Sequence, residues 1–125
     1  MKKIMFVTKH KILAQSLANV MAARPELCFE PYLLSDIHQA ALDAEVLRAD
    51  VVILDIAADK NHSESLKLCN KLRKTIPECR LILLLPSDDF KCRQMAIAAT
   101  QAALVDDFVY HDATLDYFFA KIEAV

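Results

Sequence analysis

The chain has 125 residues, 55% of them hydrophobic, with 15 basic and 17 acidic side chains and a formal net charge of −2. That is one domain, residues 1–125, with enough apolar material for a folded core and no basic excess to advertise DNA or an anionic membrane. Glycine is absent altogether. This excludes the Walker loop, the GxGxxG fingerprint and the GxSxG elbow, whose backbones turn or approach phosphate as only glycine permits.

Met1, Lys2 and Lys3 followed by Ile4–Val7 hint at a secretion signal, but Lys9, His10 and Lys11 end the apolar run after four residues. The expectation is a cytoplasmic chain without a cleaved leader. No segment approaches membrane-spanning length. Cys28, Cys69, Cys79 and Cys92 form no CxxC pair and no zinc-like spacing, so buried, reduced thiols are expected.

Strand and helix patterns alternate from the start. Residues 3–8 read as a first strand, and residues 10–23 carry Ile12, Leu13, Ser16, Leu17, Val20 and Met21 at helical spacing, stopping before Pro25. Residues 28–34 are a second strand, which Pro31 pushes towards the sheet edge because it cannot donate a ladder bond. Asp36 with Gln39 resembles a capping box for a helix to about 47, buried along Ile37, Ala40, Ala41 and Ala44. The third strand, 51–56, is a run of aliphatic residues with Asp55 near its exit, the pattern of a strand buried on both faces of a parallel sheet. Residues 57–65 are polar, and the next helix runs to about 75 with Leu66, Cys69, Leu72 and Ile76 on one face, ended by Pro77.

Residues 80–85 form a fourth strand. Ser87 or Asp88 is the expected cap of a fourth helix, with Cys92, Met95, Ala96 and Ala99 inward. A short fifth strand falls within 103–110. The last helix starts near Asp112 or Thr114 and buries Leu115, Phe118, Phe119 and Ile122. Five such strand–helix units predict an α/β fold: a flavodoxin-like, doubly wound, five-stranded parallel sheet in the order 2-1-3-4-5 with five helices. The crevice at the carboxyl ends of strands 1 and 3 then lies near Thr8, Lys9 and Asp55.

Five segments share their order and spacing with one family: TKHKILAQSL (8–17), RPEL (24–27), ADVVILDI (49–56), IPECRLILLL (76–85) and DDFVYHDATLD (106–116). Over essentially its whole length the chain resembles a response-regulator receiver domain of two-component signal transduction. The likeness is greatest to receivers that precede helix-turn-helix DNA-binding domains. By that resemblance Asp55 holds the phosphoacceptor position. The two acidic residues that hold magnesium in the family are replaced by Thr8 and Lys9, the threonine or serine ending strand 4 by Leu85 with Ser87 two residues on, and the lysine ending strand 5 by His111. The loop after Asp55 reads AADKNHSE where the family carries a glycine.

A phosphoryl group and a carboxylate repel each other, and a divalent cation normally offsets that charge. With Lys9 beside a lone Asp55, magnesium binding is expected to be weak or absent, and no resident metal or cofactor is expected. Lys9 is instead expected to pair with Asp55 as a built-in charge, lowering its pKa and fixing one conformation. The preferred expectation is a degenerate receiver (a pseudo-receiver), not an enzyme, acting through protein–protein contacts. Its partner would be a sensor kinase, a downstream effector or a second copy, through the helix 4–strand 5–helix 5 face, where Phe108, Tyr110, Tyr117, Phe118 and Phe119 gather. Two alternatives stay open. One is a working phosphoprotein of a phosphorelay, possessing Asp55 as acceptor and serving as the N-terminal part of a transcriptional regulator. The other is a small α/β domain binding an anionic metabolite near Thr8, Lys9 and Asp55.

Blander readings cover the remaining features. His10, His38 and His62 sit in polar or helix-surface contexts, and no pair is expected to bind metal. Lys67, Lys71, Arg73 and Lys74 read as a solvated helix face, with no direct nucleic-acid contact expected from this domain. Asp106 and Asp107 read as a solvated turn or strand interruption, and Asp88 and Asp89 as charge complementing a helix N-terminus.

Overall fold

The structure is a computed structural model that describes residues 1–57, 59 and 62–125. Ala58, Lys60 and Asn61, part of the polar stretch read over 57–65, lie outside the described residues. The elements in chain order are β1 (Lys2–Val7), α1 (Lys11–Ala23), β2 (Phe29–Leu34), α2 (Ile37–Leu47), β3 (Val51–Asp55), α3 (Ser63–Thr75), β4 (Arg80–Leu85), α4 (Phe90–Gln101), β5 (Asp107–Tyr110) and α5 (Leu115–Ala124), with a 3-10 turn at Pro25–Leu27. The strands are all parallel in the order β2-β1-β3-β4-β5. This is the flavodoxin-like arrangement expected, with proline-bearing β2 at an edge.

Period-2 alternation sorts the strand side chains into two cores. Met5, Val7, Val52, Leu54, Leu81, Leu83 and Leu85 face α2, α3 and α4, where Ala40, Ala44, Leu68, Leu72 and Ala96 meet them. Ile4, Phe6, Val51, Ile53, Ile82 and Leu84 face the opposite layer, Leu17 and Met21 of α1 with Phe118, Phe119 and Ile122 of α5. Because β1, β3 and β4 are buried on both sides, their sequences are continuous apolar runs. The same burial makes the point where such a strand ends in a polar residue, as β3 does at Asp55, stand out. Among the described residues no helix is long and apolar enough to cross a membrane.

Several expectations are corrected. Ile12 is 86% exposed: the inward stripe of α1 is Ala14, Leu17 and Met21, and Ile12 lies two residues from Ala14, on the other side of the helix. Leu115 is exposed as well; it heads α5, and side chains tilt towards a helix N-terminus, so the first one projects past the packed turn. The cap of α4 is Asp89, whose carboxylate accepts the Cys92 N–H, while Ser87 donates to Asp112 at 3.2 Å. Strand β5 starts only at Asp107, because residues 103–105 wrap the end of α4 through Leu104 N–H and Val105 N–H to Ala99 O. Cys69, Cys79 and Cys92 are buried free thiols, whereas Cys28 is exposed. It occupies a left-handed turn position (φ 56°) before β2.

Candidate functional site

Asp55 ends β3 at the carboxyl edge of the sheet, flanked by the ends of β1 and β4. Its side chain is only 3% exposed, yet both oxygens are served from within the chain. The Thr8 hydroxyl donates to Oδ2 at 2.8 Å. The Ala57 N–H donates to Oδ1 at 3.0 Å, and the His111 Nε2 stands 3.1 Å from the same oxygen. An ionised carboxylate only accepts, so that ring nitrogen carries the proton. Thr8, itself buried, also accepts the His10 N–H at 3.0 Å. A second imidazole, His10 Nε2, lies 3.8 Å from Oδ2, and the two rings meet edge-on with centroids 5.9 Å apart.

Burial pushes the Asp55 carboxyl up, but the hydrogen bonds from His111, Ala57 and Thr8 outweigh it and hold its pKa below the ordinary value. The lowered pKa expected from the sequence is therefore present, with a different cause. Lys9 is exposed and, among the described residues, makes no ion pair with Asp55. The strand sends Thr8 inward and Lys9 outward, so the two imidazoles take the place expected for its ammonium.

A cleft of about 180 Å³ opens beside Asp55, lined by Lys9, His38, Asp59, Glu64 and Ser65 over a floor that includes Val7 and Leu54. Asp59 accepts from both the backbone N–H and the hydroxyl of Ser65, each at 2.9 Å. Three carboxylates against one lysine make this cleft unwelcoming to an anionic metabolite.

Of the residues singled out, Asp55, Thr8 and His111 meet directly. Lys9 borders the cleft, Leu85 is buried in the core with no polar part to play, and Ser87 turns to Asp112. His10 went unrecognised; its adjacency to Thr8 at the strand exit was the available signal. His62, expected in a surface context, is buried with a left-handed backbone, its Nε2 3.3 Å from Cys92 Sγ. Arg73 is no solvated residue either: it donates to Leu104 O at 2.8 Å, Cys79 O at 3.2 Å and Asp106 Oδ2 at 2.8 Å. Asp106 also accepts the Leu81 N–H at 2.8 Å. Burial raises the Asp106 pKa, but that N–H and the Arg73 guanidinium bring it below the usual range.

The magnesium implied by the resemblance needs near-octahedral oxygen ligands, usually including one or two carboxylates. Of the three carboxylates lining the cleft, Asp59 is engaged by Ser65 and Asp55 by Thr8, Ala57 and His111, and no group of three or more His, Cys, Asp or Glu among the described residues is placed to hold a metal ion. These residues do not fit that ion.

No family model and no curated protein matches the chain. Solved structures do. A DNA-binding response regulator of the LuxR family from Staphylococcus aureus is 17% identical, with 99% of this chain and 98% of that one covered at a TM-score of 0.78. The response regulator TrrA from Thermotoga maritima, solved in complex with Mg²⁺ and BeF, is 18% identical over 99% and 98% at 0.77. A structure of adenylate cyclase from Rhodopirellula baltica is 18% identical over 98% and 85% at 0.80. At such identities the likeness establishes the receiver fold, and one fold hosts more than one activity.

Proposed function

We propose that this domain is a receiver-type signalling module of the two-component kind, non-catalytic and cytoplasmic. It works by presenting a fixed surface to protein partners, with Asp55 held by internal hydrogen bonds in place of magnesium-dependent phosphorylation. One observation carries the reading: Thr8, Ala57 and His111 together occupy both oxygens of Asp55. A nucleophilic carboxylate needs a free oxygen facing the incoming phosphorus. Three of the carboxylate's about four lone-pair sites are thereby taken and the last, on Oδ2, lies beside His10 Nε2 at 3.8 Å, so attack through Oδ1 means breaking a charge-assisted hydrogen bond, each worth about 1.5–3 kcal/mol.

The partner surface is supported by Phe90 and Ile97 of α4 and Leu115 and Tyr117 of α5, all exposed apolar or aromatic side chains flanking the half-buried Phe108 and Tyr110 of β5. A sensor kinase, an effector or a second copy of the chain would dock there.

A working phospho-receiver is the second reading. Its support is the place of Asp55 at the β3 exit, in a fold shared with the Thermotoga maritima regulator solved with Mg²⁺ and BeF. Incubation with acetyl phosphate and Mg²⁺, followed by intact mass, separates the two. The proposed function expects no phosphoryl adduct. An adduct that disappears in Asp55→Asn establishes the second reading.

A further inference from the structure

Helices α2 and α3 pack side by side, and the seam between them opens into a groove of about 150 Å³ floored by Ile37, Ala41 and Leu68. We propose that this groove docks an acidic amphipathic helix of a partner protein, its aliphatic stripe on α2 and its carboxylates along α3. The proposal goes beyond the signalling role, concerns a face apart from α4, β5 and α5, and does not rest on that reading.

Helical spacing builds two unlike rims. On α2, His38 lines the groove, and Leu42 and Val46 follow it at one-turn intervals. They are 56% and 73% exposed, while Ala40, Ala41 and Ala44 of the same helix are buried. Two aliphatic side chains in line beside an apolar groove form an uncovered stripe. On α3, Lys67, Lys71 and Lys74 stand four and three residues apart, all exposed, so their stripe runs about 10 Å along the helix. Arg73, the other cation of that run, is turned away to Leu104 O and Cys79 O.

Charge selects the occupant. Glu64, at the head of the groove, is shared between His38 Nδ1 at 3.5 Å and Lys67 Nζ at 3.9 Å. Lys71 and Lys74 have no ion pair among the described residues, so their charge is free to meet a partner. The carboxylate that α2 sets on this side is Glu45, one turn on from Ala41; it is exposed and likewise unpaired among the described residues. The lysine rim matches carboxylates at i, i+4 and i+7 of a helix, and the α2 rim matches aliphatic residues one turn apart. A nucleic acid would meet the lysines but lay phosphates over Leu42 and Val46. An acidic amphipathic helix satisfies both rims, with Glu45 as the one group that opposes it.

A fluorescein-labelled helical peptide about five turns long is the probe, with leucines one turn apart on one stripe and glutamates on the next. Its twin carries lysine for every glutamate. Fluorescence anisotropy against the full chain should show saturable one-to-one binding of the acidic peptide at micromolar concentration, weakened by added salt. Binding should fall more than about fivefold in Lys71→Glu/Lys74→Glu and in Leu42→Ser, and rise about twofold in Glu45→Gln. All four positions are exposed, so the variants should keep the wild-type circular dichroism. Amide shifts in the ¹⁵N-labelled protein should gather on α2 and α3. Absence of saturation overturns the proposal, whatever DNA duplexes or phosphatidylserine vesicles bind in its place. Equal binding by the lysine twin, full binding by the lysine-reversal variant, or shifts confined to α4 and α5 overturn it too. None of these readouts depends on whether Asp55 accepts phosphate.

Discussion

The Thr8 hydroxyl joins two backbone segments through one proton donor and one lone pair: it donates to Asp55 Oδ2 at 2.8 Å and accepts the His10 N–H at 3.0 Å. A threonine at the end of β1 thus holds the β3 carboxylate and the start of α1 together without a metal. Thr8→Val keeps the shape and removes both bonds, leaving a buried carboxylate oxygen and an N–H short of partners. It should lower stability by about 1–3 kcal/mol, read as a shift of the urea midpoint with an unchanged slope. Thr8→Ser should recover most of that loss.

The acid dependence follows from the same contacts. Asp55 has a folded pKa below its ordinary 3.8, so the folded state binds its proton less readily than the unfolded chain. The stabilisation is present in full above the unfolded value and is lost as pH falls through the folded one. Asp55→Asn should therefore show a shallower fall of stability with acid below about pH 4 than the wild type, measured by denaturant titration at stepped pH.

Thiol chemistry should separate the four cysteines. Burial pushes Cys69 up to about 11 and Cys79 up to about 12 from an ordinary 9.0, and burial likewise takes Cys92 to about 11. Iodoacetamide at neutral pH should add a single carbamidomethyl group, at exposed Cys28, by intact mass and peptide mapping. The sign at high pH is opposite to that of Asp55. Stability is complete below the unfolded thiol value of 9.0 and is lost as pH rises towards 11–12, so Cys79→Ala should flatten part of the alkaline decline.

A chain without glycine must place other residues at positive φ, and Cys28, Arg48, His62 and Ala103 take that place. Ala103, at φ 58°, ends the turn after α4. A Cβ in the left-handed region costs roughly 1–2 kcal/mol, partly offset by the greater chain entropy that glycine loses on folding. Ala103→Gly should raise stability by about 0.5–1 kcal/mol. Ala98→Gly, five residues earlier within α4, should lower it by about 1 kcal/mol. Thermal unfolding of the two variants side by side checks the contrast.

The sheet order and the place of Asp55 were legible in the sequence because burial on both faces writes continuous apolar runs, and a polar residue at the end of one stands out. The contacts around Asp55 were less so. His111 lies 56 residues away in sequence, and which of Thr8, Lys9 and His10 points inward depends on where β1 ends, a matter of one residue. The expected Lys9–Asp55 pair failed on that step. Arg73 and Asp106 illustrate the same limit. Both look like surface charges in isolation, and only the packing of α3 beside the β4–β5 edge joins them with the Leu81 N–H and Leu104 O. Ile12 misled through periodicity, since two helical stripes fit its neighbours and the sheet selected the one through Ala14, Leu17 and Met21.

The central claim is that hydrogen bonds from Thr8, Ala57 and His111 occupy Asp55 in a way that leaves no seat for magnesium. Titration of Mg²⁺ into metal-free, ¹⁵N-labelled protein tests it most directly, with the amide signals of Thr8, Ala57 and His111 as reporters and Thr8→Asp/Lys9→Asp as the variant that restores acidic ligands. The account predicts unchanged wild-type signals at millimolar Mg²⁺ and saturable shifts in the variant. Saturable shifts of those three signals in the wild type would contradict it.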